Sequence, residues 1–401
     1  MERRIKKIEK EIKGITLVAL VITIIVLLIL SGVAISFTIG DNGIFRKAQD
    51  ATKIYENAQK NEKIEIDKVS NYINNYLNED KEEPNITSVI EAIEKGTVFK
   101  ENMIIYDEYN NPVKVPAGFK LATDSGTDVT KGIVIEDVGT KNKGNQYVWI
   151  PIGKIYINED GEYKEIKLGR YDFENNSSGE LKQSADNFED IIPINVGQDH
   201  SYQELVSGGK NVIAKNLEDF ISKAKTCGGY YIGRYEVGDE NATEMRNFED
   251  NLSHADSTPV VKKGKWPYTF VNQSDAAMLA RNLGNDYAES DLMNSYAWDT
   301  AIIFIQTFSG DIDYSKQNRI QTTIATTGNA HDGNNNYDVR CNIYDMAGNV
   351  REWFTETCTD DTFPCTLRGG QYADIYNNVS YRDATDNHPE SNLSFRPILY
   401  L

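Results

Sequence analysis

Residues that bind transition metals are scarce in this sequence, which has four Cys and four His among 401 residues. No Cys-x-x-Cys spacing occurs, and this absence argues against a thiolate metal site. Basic residues are also scarce: 42 Lys and Arg stand against 61 Asp and Glu, giving a formal net charge of −19. Because an acidic surface repels phosphates, the composition excludes a nucleic-acid partner.

The basic residues that do occur are concentrated at the N-terminus. Six Lys or Arg and three Glu lie within residues 2–13, and residues 14–40 carry no charge. An apolar run of about 20 residues is long enough to cross a bilayer as a helix. Basic residues on its N-terminal side predict that the N-terminus stays in the cytoplasm. We therefore expect a single-pass protein of the cell membrane whose C-terminal domain is extracellular.

The junction between these two segments resembles the type IV prepilin signature. The seven residues from Gly14 read GITLVAL. The resemblance implies a basic leader, residues 1–14, that a peptidase removes after Gly14. Ile15 would then become the methylated first residue of a transmembrane, pilin-type helix over residues 15–40. Ala19 stands where pilins carry Glu, which favours a minor pilin, a pseudopilin or a processed anchor over a major pilin. The alternative is an uncleaved signal-anchor helix.

A polar region with a helical stripe follows the apolar run. Apolar residues recur at spacings of three and four within residues 41–83, which predicts an amphipathic helical stalk. A charged run that closes on Pro84 marks the end of this stalk. We expect residues 84–401 to form one globular domain, with a polar insertion at about 154–225.

Three short motifs near the C-terminus carry a resemblance to a known family. They are YDMAGNVREW from Tyr344, LRGG from Leu367 and FRP from Phe395. In this order they resemble the formylglycine-generating-enzyme-like domain, and GGYYIGRYEV from Gly228 resembles an earlier strand of that family. The resemblance implies a C-type-lectin-like fold. The expected fold class is thus α+β, a long N-terminal membrane or pilin-like helix followed by a loop-rich C-type-lectin-like globular domain.

The resemblance implies two uses for this fold, since some members oxidise a cysteine and others display a binding surface. The oxidases bind copper through two cysteines near the C-terminus. Asn378 and Asp383 stand at those positions here, and neither side chain supplies a thiolate for copper. No pair of histidines has a spacing suited to an iron site like that of the related sulfoxide synthases; the four are His200, His254, His331 and His388. We therefore expect neither copper nor iron, and no enzymatic activity.

The YDMAGNVREW motif also resembles the calcium loop of the family. The resemblance implies four ligands, the side chains of Asp345 and Glu352 and the backbone carbonyls of Gly348 and Val350. Ca²⁺ prefers carboxylate and carbonyl oxygens of this kind. The expected cofactor is a structural calcium ion. The alternative is a turn whose carboxylates cap backbone amides without a metal.

The cysteines are candidates for disulfides, because the domain is expected outside the cell. Cys358 and Cys365 flank a short acidic loop between two expected strands, and we predict that they pair. Cys227 and Cys341 lie beside two expected core strands. The sequence leaves open whether this second pair forms a disulfide or remains as buried thiols.

The segment between Gly370 and Phe395 is rich in Tyr, Asn, Ser and Asp. Rigid Tyr with adaptable Asn and Ser is the composition of antibody loops. In lectin-like members diversified by retroelements, this segment is the variable, ligand-binding face. The alternative is that a low-GC genome places Asn-rich loops on any solvated surface. The predicted binding face consists of Tyr372, Asp374, Tyr376, Asn377, Asn378, Tyr381, Asp383, Asn387 and His388.

Three hypotheses for function follow from these features. The first is a non-catalytic binding module, held at the cell surface by a membrane or pilus anchor, that recognises a protein or glycan ligand. The second is a minor pilin or pseudopilin that acts as a structural subunit among other pilins in a type IV pilus or secretion assembly. The third is a copper-dependent oxidase of the formylglycine class, which the missing cysteines disfavour.

Overall fold

The chain divides into two units, Met1–Asn85 and Ile86–Leu401. The computed structural model describes residues 22, 24–25, 87–173, 176–182, 204–207, 210–213, 217–246, 256–318, 323–329, 338–357, 365–372, 376–386 and 388–401.

Little of the first unit belongs to the described residues. Its three described residues, Ile22, Ile24 and Ile25, are helical and exposed. The predicted leader with Gly14 and Ile15, the predicted stalk and the rest of the predicted membrane helix lie outside the described residues. No helix of the described part of the chain is both long and apolar enough to cross a membrane.

The second unit contains four described α-helices. The two longest, α2 and α4, have apolar residues at helical spacing, so each buries one face against the sheets. Asn272 and Asn294 cap α3 and α4, because their side chains accept hydrogen bonds from the first-turn amides of Asp275 and Ala297. The helices are α1 (Val89–Lys95), α2 (Leu217–Cys227), α3 (Gln273–Ala280) and α4 (Ser295–Phe308).

The described strands are short and numerous. Two single 3₁₀ turns, Val129–Lys131 and Tyr314–Lys316, interrupt the connections between them. The strands are β1 (Met103–Tyr106), β2 (Pro112–Val115), β3 (Phe119–Leu121), β4 (Val134–Asp137), β5 (Gln146–Pro151), β6 (Gly153–Tyr156), β7 (Tyr163–Ile166), β8 (Arg170–Asp172), β9 (Glu180–Lys182), β10 (Glu204–Ser207), β11 (Lys210–Ile213), β12 (Gly229–Gly233), β13 (Gly238–Asp239), β14 (Pro259–Val260), β15 (Trp266–Pro267), β16 (Glu289–Leu292), β17 (Val339–Arg340), β18 (Ile343–Tyr344), β19 (Arg351–Thr357), β20 (Cys365–Arg368), β21 (Arg382–Thr385), β22 (Leu393–Phe395) and β23 (Pro397–Tyr400).

Two sheets organise the unit. The larger has six antiparallel strands in the order β16-β23-β12-β5-β4-β3, so the last strand of the chain lies beside the central pair β12 and β5. The smaller has four strands in the order β21-β20-β19-β22, with β19 and β22 parallel. β22 and β23 are consecutive in the chain and belong to different sheets, so the link between them joins the two sheets.

The six-stranded sheet is buried on both faces. Along β5, Tyr147 and Trp149 project into a first core cluster, and Val148 and Ile150 project into a second. Side chains alternate across a strand, so apolar residues are needed at every position of such a strand. This explains why β5 and β12 read as continuous apolar runs rather than as alternating patterns. The first cluster receives α1 and α3, and the second receives α2 and α4.

The predicted polar insertion has more regular structure than loops and short helices. Its described residues form three antiparallel hairpins, β6–β7, β8–β9 and β10–β11, which precede α2. The mixed helix and sheet content of the unit agrees with the expected loop-rich α+β domain.

Candidate functional site

A buried ion pair lies where the two sheets meet. Arg396, which links β22 to β23, and Glu352 on β19 are 0% and 1% exposed. Arg396 Nε donates to both oxygens of Glu352, at 3.0 and 3.2 Å, and Nη2 donates to Oε1 at 2.7 Å. The remaining donors of Arg396 reach the carbonyls of Gly233 and Tyr344, both at 2.8 Å. One guanidinium therefore satisfies groups from both sheets and from strand β18.

Two further carboxyl groups are buried beside this pair. Glu236 follows β12 and Asp345 follows β18, and they are 0% and 1% exposed. Burial, with the neighbouring Asp345, raises the pKa of Glu236 well above its ordinary value. Burial also raises the pKa of Asp345 to about 8, and it raises that of Glu352 although Arg396 opposes the rise. Three carboxyl groups thus interact with one buried guanidinium.

The loop that carries Asp345 has an unusual backbone. Four of its non-glycine residues have positive φ: Cys341 (47°), Asn342 (63°), Asp345 (63°) and Asn349 (62°). Asn and Asp tolerate this conformation better than other residues, and side-chain hydrogen bonds can hold it. Asn342 accepts from Arg234 Nη2 at 2.9 Å, and Asp345 Oδ2 accepts from the Gly328 amide at 2.6 Å.

The two carboxylates among the four predicted calcium ligands have different surroundings. Both oxygens of Glu352 accept hydrogen bonds from Arg396. Asp345 Oδ1 is buried without a hydrogen-bond partner, so this oxygen is available to a cation. Within the described ranges, no group of three or more His, Cys, Asp or Glu side chains is placed to hold a metal. The carbonyls of Gly348 and Val350 stay predicted donors, and calcium binding stays a prediction.

The predicted binding face is partly exposed. Tyr376 is 80% exposed, and His388 is also exposed. Tyr372, Asn378, Tyr381 and Asp383 are half-buried. Asn377 is buried at 4% exposure, and its place on the face stays a prediction. Asp374 and Asn387 lie outside the described residues.

Helix α4 and a buried arginine hold the backbone of this face. Trp298 Nε1 donates to the carbonyl of Val379 at 2.9 Å. Arg368, which is 1% exposed, donates to the carbonyl of Tyr381 at 3.2 Å and forms an ion pair with Asp299 at 2.5 Å. The arginine of the LRGG motif is therefore both buried and paired. The hydrogen bonds from Trp298 and Arg368 thus end on backbone carbonyls of the predicted binding face.

No thiol is present at the two positions where the family oxidases bind copper. Asp383 lies on the edge strand β21 and forms an ion pair with Arg351 at 3.2 Å. Asn378 Oδ1 accepts from the hydroxyl of Ser380 at 3.0 Å. Both side chains are therefore engaged in local polar contacts that stabilise the segment.

The three cysteines in the described part of the chain are free thiols. Cys365 is free and buried in the first core cluster, so the predicted bond to Cys358 is not formed, and Cys358 itself lies outside the described residues. Cys365 pairs with Thr357 across the β19–β20 ladder. Cys227 and Cys341 are also free. Burial raises the pKa of the Cys341 and Cys365 thiols to about 12, which makes them poor nucleophiles.

Glu236 and Asn349 are site residues that the sequence analysis missed. Asn349 Nδ2 donates to Glu236 Oε1 and also, at 3.1 Å, to the carbonyl of Ala325. One signal was available, because Glu236 is an acidic residue in the otherwise apolar and aromatic run GGYYIGRYEV. Its partners were not visible, since they lie about a hundred residues away in sequence.

Comparison with known proteins gives one family match. A family described as the sulfatase-modifying factor enzyme 1-like domain matches residues 136–398. A search of curated proteins finds no match.

Solved structures give distant likenesses. The chain is similar to the crystal structure of CarF at 15% identity and a TM-score of 0.29, over 43% of this chain and 87% of that one. It is similar to PvdO from Pseudomonas aeruginosa at 11% identity and 0.32, over 64% and 95%. It is also similar to the Major Tropism Determinant I1 variant at 11% identity and 0.28, over 75% and 86%.

We predict that replacing Arg396 by Met strongly destabilises the domain. The change leaves Glu352 buried without its counter-charge, and losing one partner of a buried pair costs about 3–5 kcal/mol. The measurement is the free energy of unfolding in urea. Arg351→Met is the matched control, since its partly exposed ion pair with Asp383 contributes about 1 kcal/mol or less. Equal losses in the two variants would contradict a special role for Arg396.

We predict that the metal-free protein loses stability as the pH rises from about 4 to about 8. The pKa of Asp345 is about 8 in the folded chain, and an unfolded Asp titrates near 3.9. Between these values the folded chain binds more protons than the unfolded chain, so stability is highest at the acidic end. Melting temperatures measured in a chelator test this. Asp345→Asn should flatten the profile, and an unchanged slope in that variant would contradict the assignment.

Proposed function

The chain belongs to the family of sulfatase-modifying factor enzyme 1-like domains, and we propose that within this family it is a non-catalytic binding module. Its segment 371–394 is the binding face, and the ligand is a protein or a glycan. The absence of thiols at Asn378 and Asp383 supports a role without copper chemistry. The same positions carry side chains engaged in local hydrogen bonds and an ion pair.

The observation that carries this proposal is the exposure of Tyr376. Tyr376 is 80% exposed, so in the free protein its apolar ring is in contact with water, which is unfavourable. It lies on a segment whose neighbouring backbone is fixed by Trp298 and Arg368. A rigid, exposed aromatic side chain on a fixed backbone loses little conformational entropy when a ligand covers it. Such residues are the anchors of protein interfaces.

Tyr376 has polar and acidic surroundings on the same face. His388 and Asp386 are exposed, and Asp383 is partly exposed. Tyr372 and Tyr381 contribute further half-buried rings. Aromatic area combined with hydrogen-bonding groups suits a polar ligand such as a glycan or a hydrophilic protein surface.

We further propose that this module is displayed outside the cell on an N-terminal membrane or pilin-type helix. The basic leader, the charge-free run from Gly14 to Gly40 and the signature at Gly14–Ile15 support this arrangement. The same signature favours the second candidate function, a minor pilin or pseudopilin in a type IV pilus or secretion assembly. In that case the domain is a structural part of a fibre and its partners are other pilin subunits.

The binding role is tested by replacing Tyr376 with Ser. We expect the apparent affinity for any glycan or envelope protein bound by the wild-type chain to fall roughly tenfold or more. The melting temperature should stay unchanged, because an exposed side chain contributes little to folding. Binding is measured on a glycan array and by titration of the positive ligands. Tyr287→Ser is the control, since Tyr287 is 55% exposed and lies outside the segment. Unchanged binding, or unfolding of the Tyr376 variant, would sink the proposal.

The anchor is tested by mass spectrometry of the N-terminus of the protein isolated from its native host. We expect an N-methylated Ile15, because a prepilin-type signal is cut after Gly14. Detection of an intact Met1 would reject prepilin processing and leave an uncleaved anchor. This result does not depend on the ligand, so the two parts of the proposal can fail separately.

A further inference from the structure

An open cleft lies between the loop after β4 and the connection from α3 to β16. Its volume is about 650 Å³, which is within the range of small-molecule sites. Its lining includes Asp137, the loop residues 139–142 and Arg281. None of the described residues of segment 371–394 lines the cleft, so it is a different place from the proposed binding face.

Hydrogen bonds between the two walls hold the cleft in shape. Asn142 Nδ2 donates to the carbonyls of Asn282 and Gly284, at 3.2 and 2.8 Å. Asn285 Nδ2 donates to the carbonyl of Ala117 at 2.9 Å. Because both loops are fixed in this way, a ligand can enter without much reordering of the protein.

One wall of the cleft carries a buried carboxylate. Asp137, the last residue of β4, is 1% exposed. Its Oδ1 accepts from the Gly139 amide at 2.7 Å, and its Oδ2 is buried without a hydrogen-bond partner. Burial raises the pKa of Asp137. A donor that carries a positive charge would stabilise this oxygen most, because it supplies both a hydrogen bond and a counter-charge.

The other wall carries an arginine with an unused donor. Arg281 follows the last residue of α3, and its Nε donates to Asp291 Oδ1 at 3.0 Å. Asp291 is 0% exposed, so it fixes the guanidinium from the protein side. Arg281 Nη2 is buried without a hydrogen-bond partner. The planar fork of an arginine matches the geometry of a carboxylate, which is therefore the acceptor that suits this group best.

The charges that line the cleft are balanced, although the whole chain has 61 acidic and 42 basic residues. The lining has three of each sign: Asp137, Asp286 and Glu289 against Lys141, Lys223 and Arg281. Lys223 and Glu289 form an ion pair with each other. A balanced lining favours neither anions nor cations, and it is complementary to a ligand that carries one charge of each sign.

We propose that this cleft binds a small zwitterion, an amino acid or a short peptide, with its ammonium group at Asp137 and its carboxylate at Arg281. One such ligand supplies a donor to Asp137 Oδ2 and an acceptor to Arg281 Nη2, so it satisfies both buried groups. A neutral sugar would leave Asp137 without a counter-charge. The site goes beyond the proposed role of segment 371–394 and does not depend on it.

The test is a thermal-shift screen of the full-length protein with the common L-amino acids and with dialanine. Compounds that raise the melting temperature are then titrated by calorimetry, and we expect at least one dissociation constant of about 1 mM or below. The N-acetyl and the amide derivative of that compound lack the ammonium and the carboxylate charge. Each should bind about tenfold or more weakly than the free compound. A response to dialanine alone would identify the ligand as a peptide, and a response to free amino acids alone would identify an amino acid.

Two variants assign the groups. Asp137→Asn should weaken binding of the free compound about tenfold and leave binding of its N-acetyl derivative unchanged. Arg281→Lys keeps a positive charge beside Asp291, so the fold is preserved, but it should remove the preference for the free carboxylate over the amide. Asp160→Asn, at an exposed position outside the cleft, is the control and should bind as the wild type does.

Glucose is the neutral probe in the same screen. Absence of binding by every amino acid and by dialanine in the wild-type protein would overturn the site, as would tighter binding of glucose than of any of them. Equal weakening of the free compound and of its N-acetyl derivative in Asp137→Asn would overturn the assignment of the ammonium group.

Discussion

The ion pair between Arg396 and Glu352 holds together parts of the domain that lie in different sheets. Arg396 follows β22 of the smaller sheet and precedes β23 of the larger one. It bonds to β19, to the end of β12 and to the last residue of β18. A buried ion pair adds little net stability, because desolvation offsets its attraction. The pair does, however, favour one arrangement of the two sheets, because a shift of one sheet against the other leaves a buried charge unpaired. Both core clusters are arranged around this fixed junction.

The contacts that hold the proposed binding face, segment 371–394, reach its backbone. The bonds from Trp298 and Arg368 to segment 371–394 end on the carbonyls of Val379 and Tyr381. Because every residue has a backbone carbonyl, these bonds do not depend on which side chains the segment carries. The exposed side chains can change while the backbone keeps its place. A binding face requires this separation between a fixed backbone and free side chains.

The sequence predicted the parts of the fold that depend on local pattern and on motif. The run GGYYIGRYEV, which resembles a strand of the family, contains β12, and the expected mixed α+β content is present. Pairings between distant residues were not predictable from local pattern. The motif identified Glu352, but its role depends on Arg396, which lies 44 residues away in sequence. The disulfide predicted for Cys365 was wrong, because the burial of this thiol depends on tertiary packing, which composition does not report.

The loop from Cys341 to Asn349 shows why the polar interior is retained. Four of its residues have positive φ, a conformation that is costly for residues other than glycine. Side-chain bonds to three other segments hold it: Asn342 to Arg234, Asp345 to Gly328 and Asn349 to Ala325. An apolar loop could pack at lower desolvation cost, but it could not hold this backbone. Buried polar groups here specify one conformation of the junction.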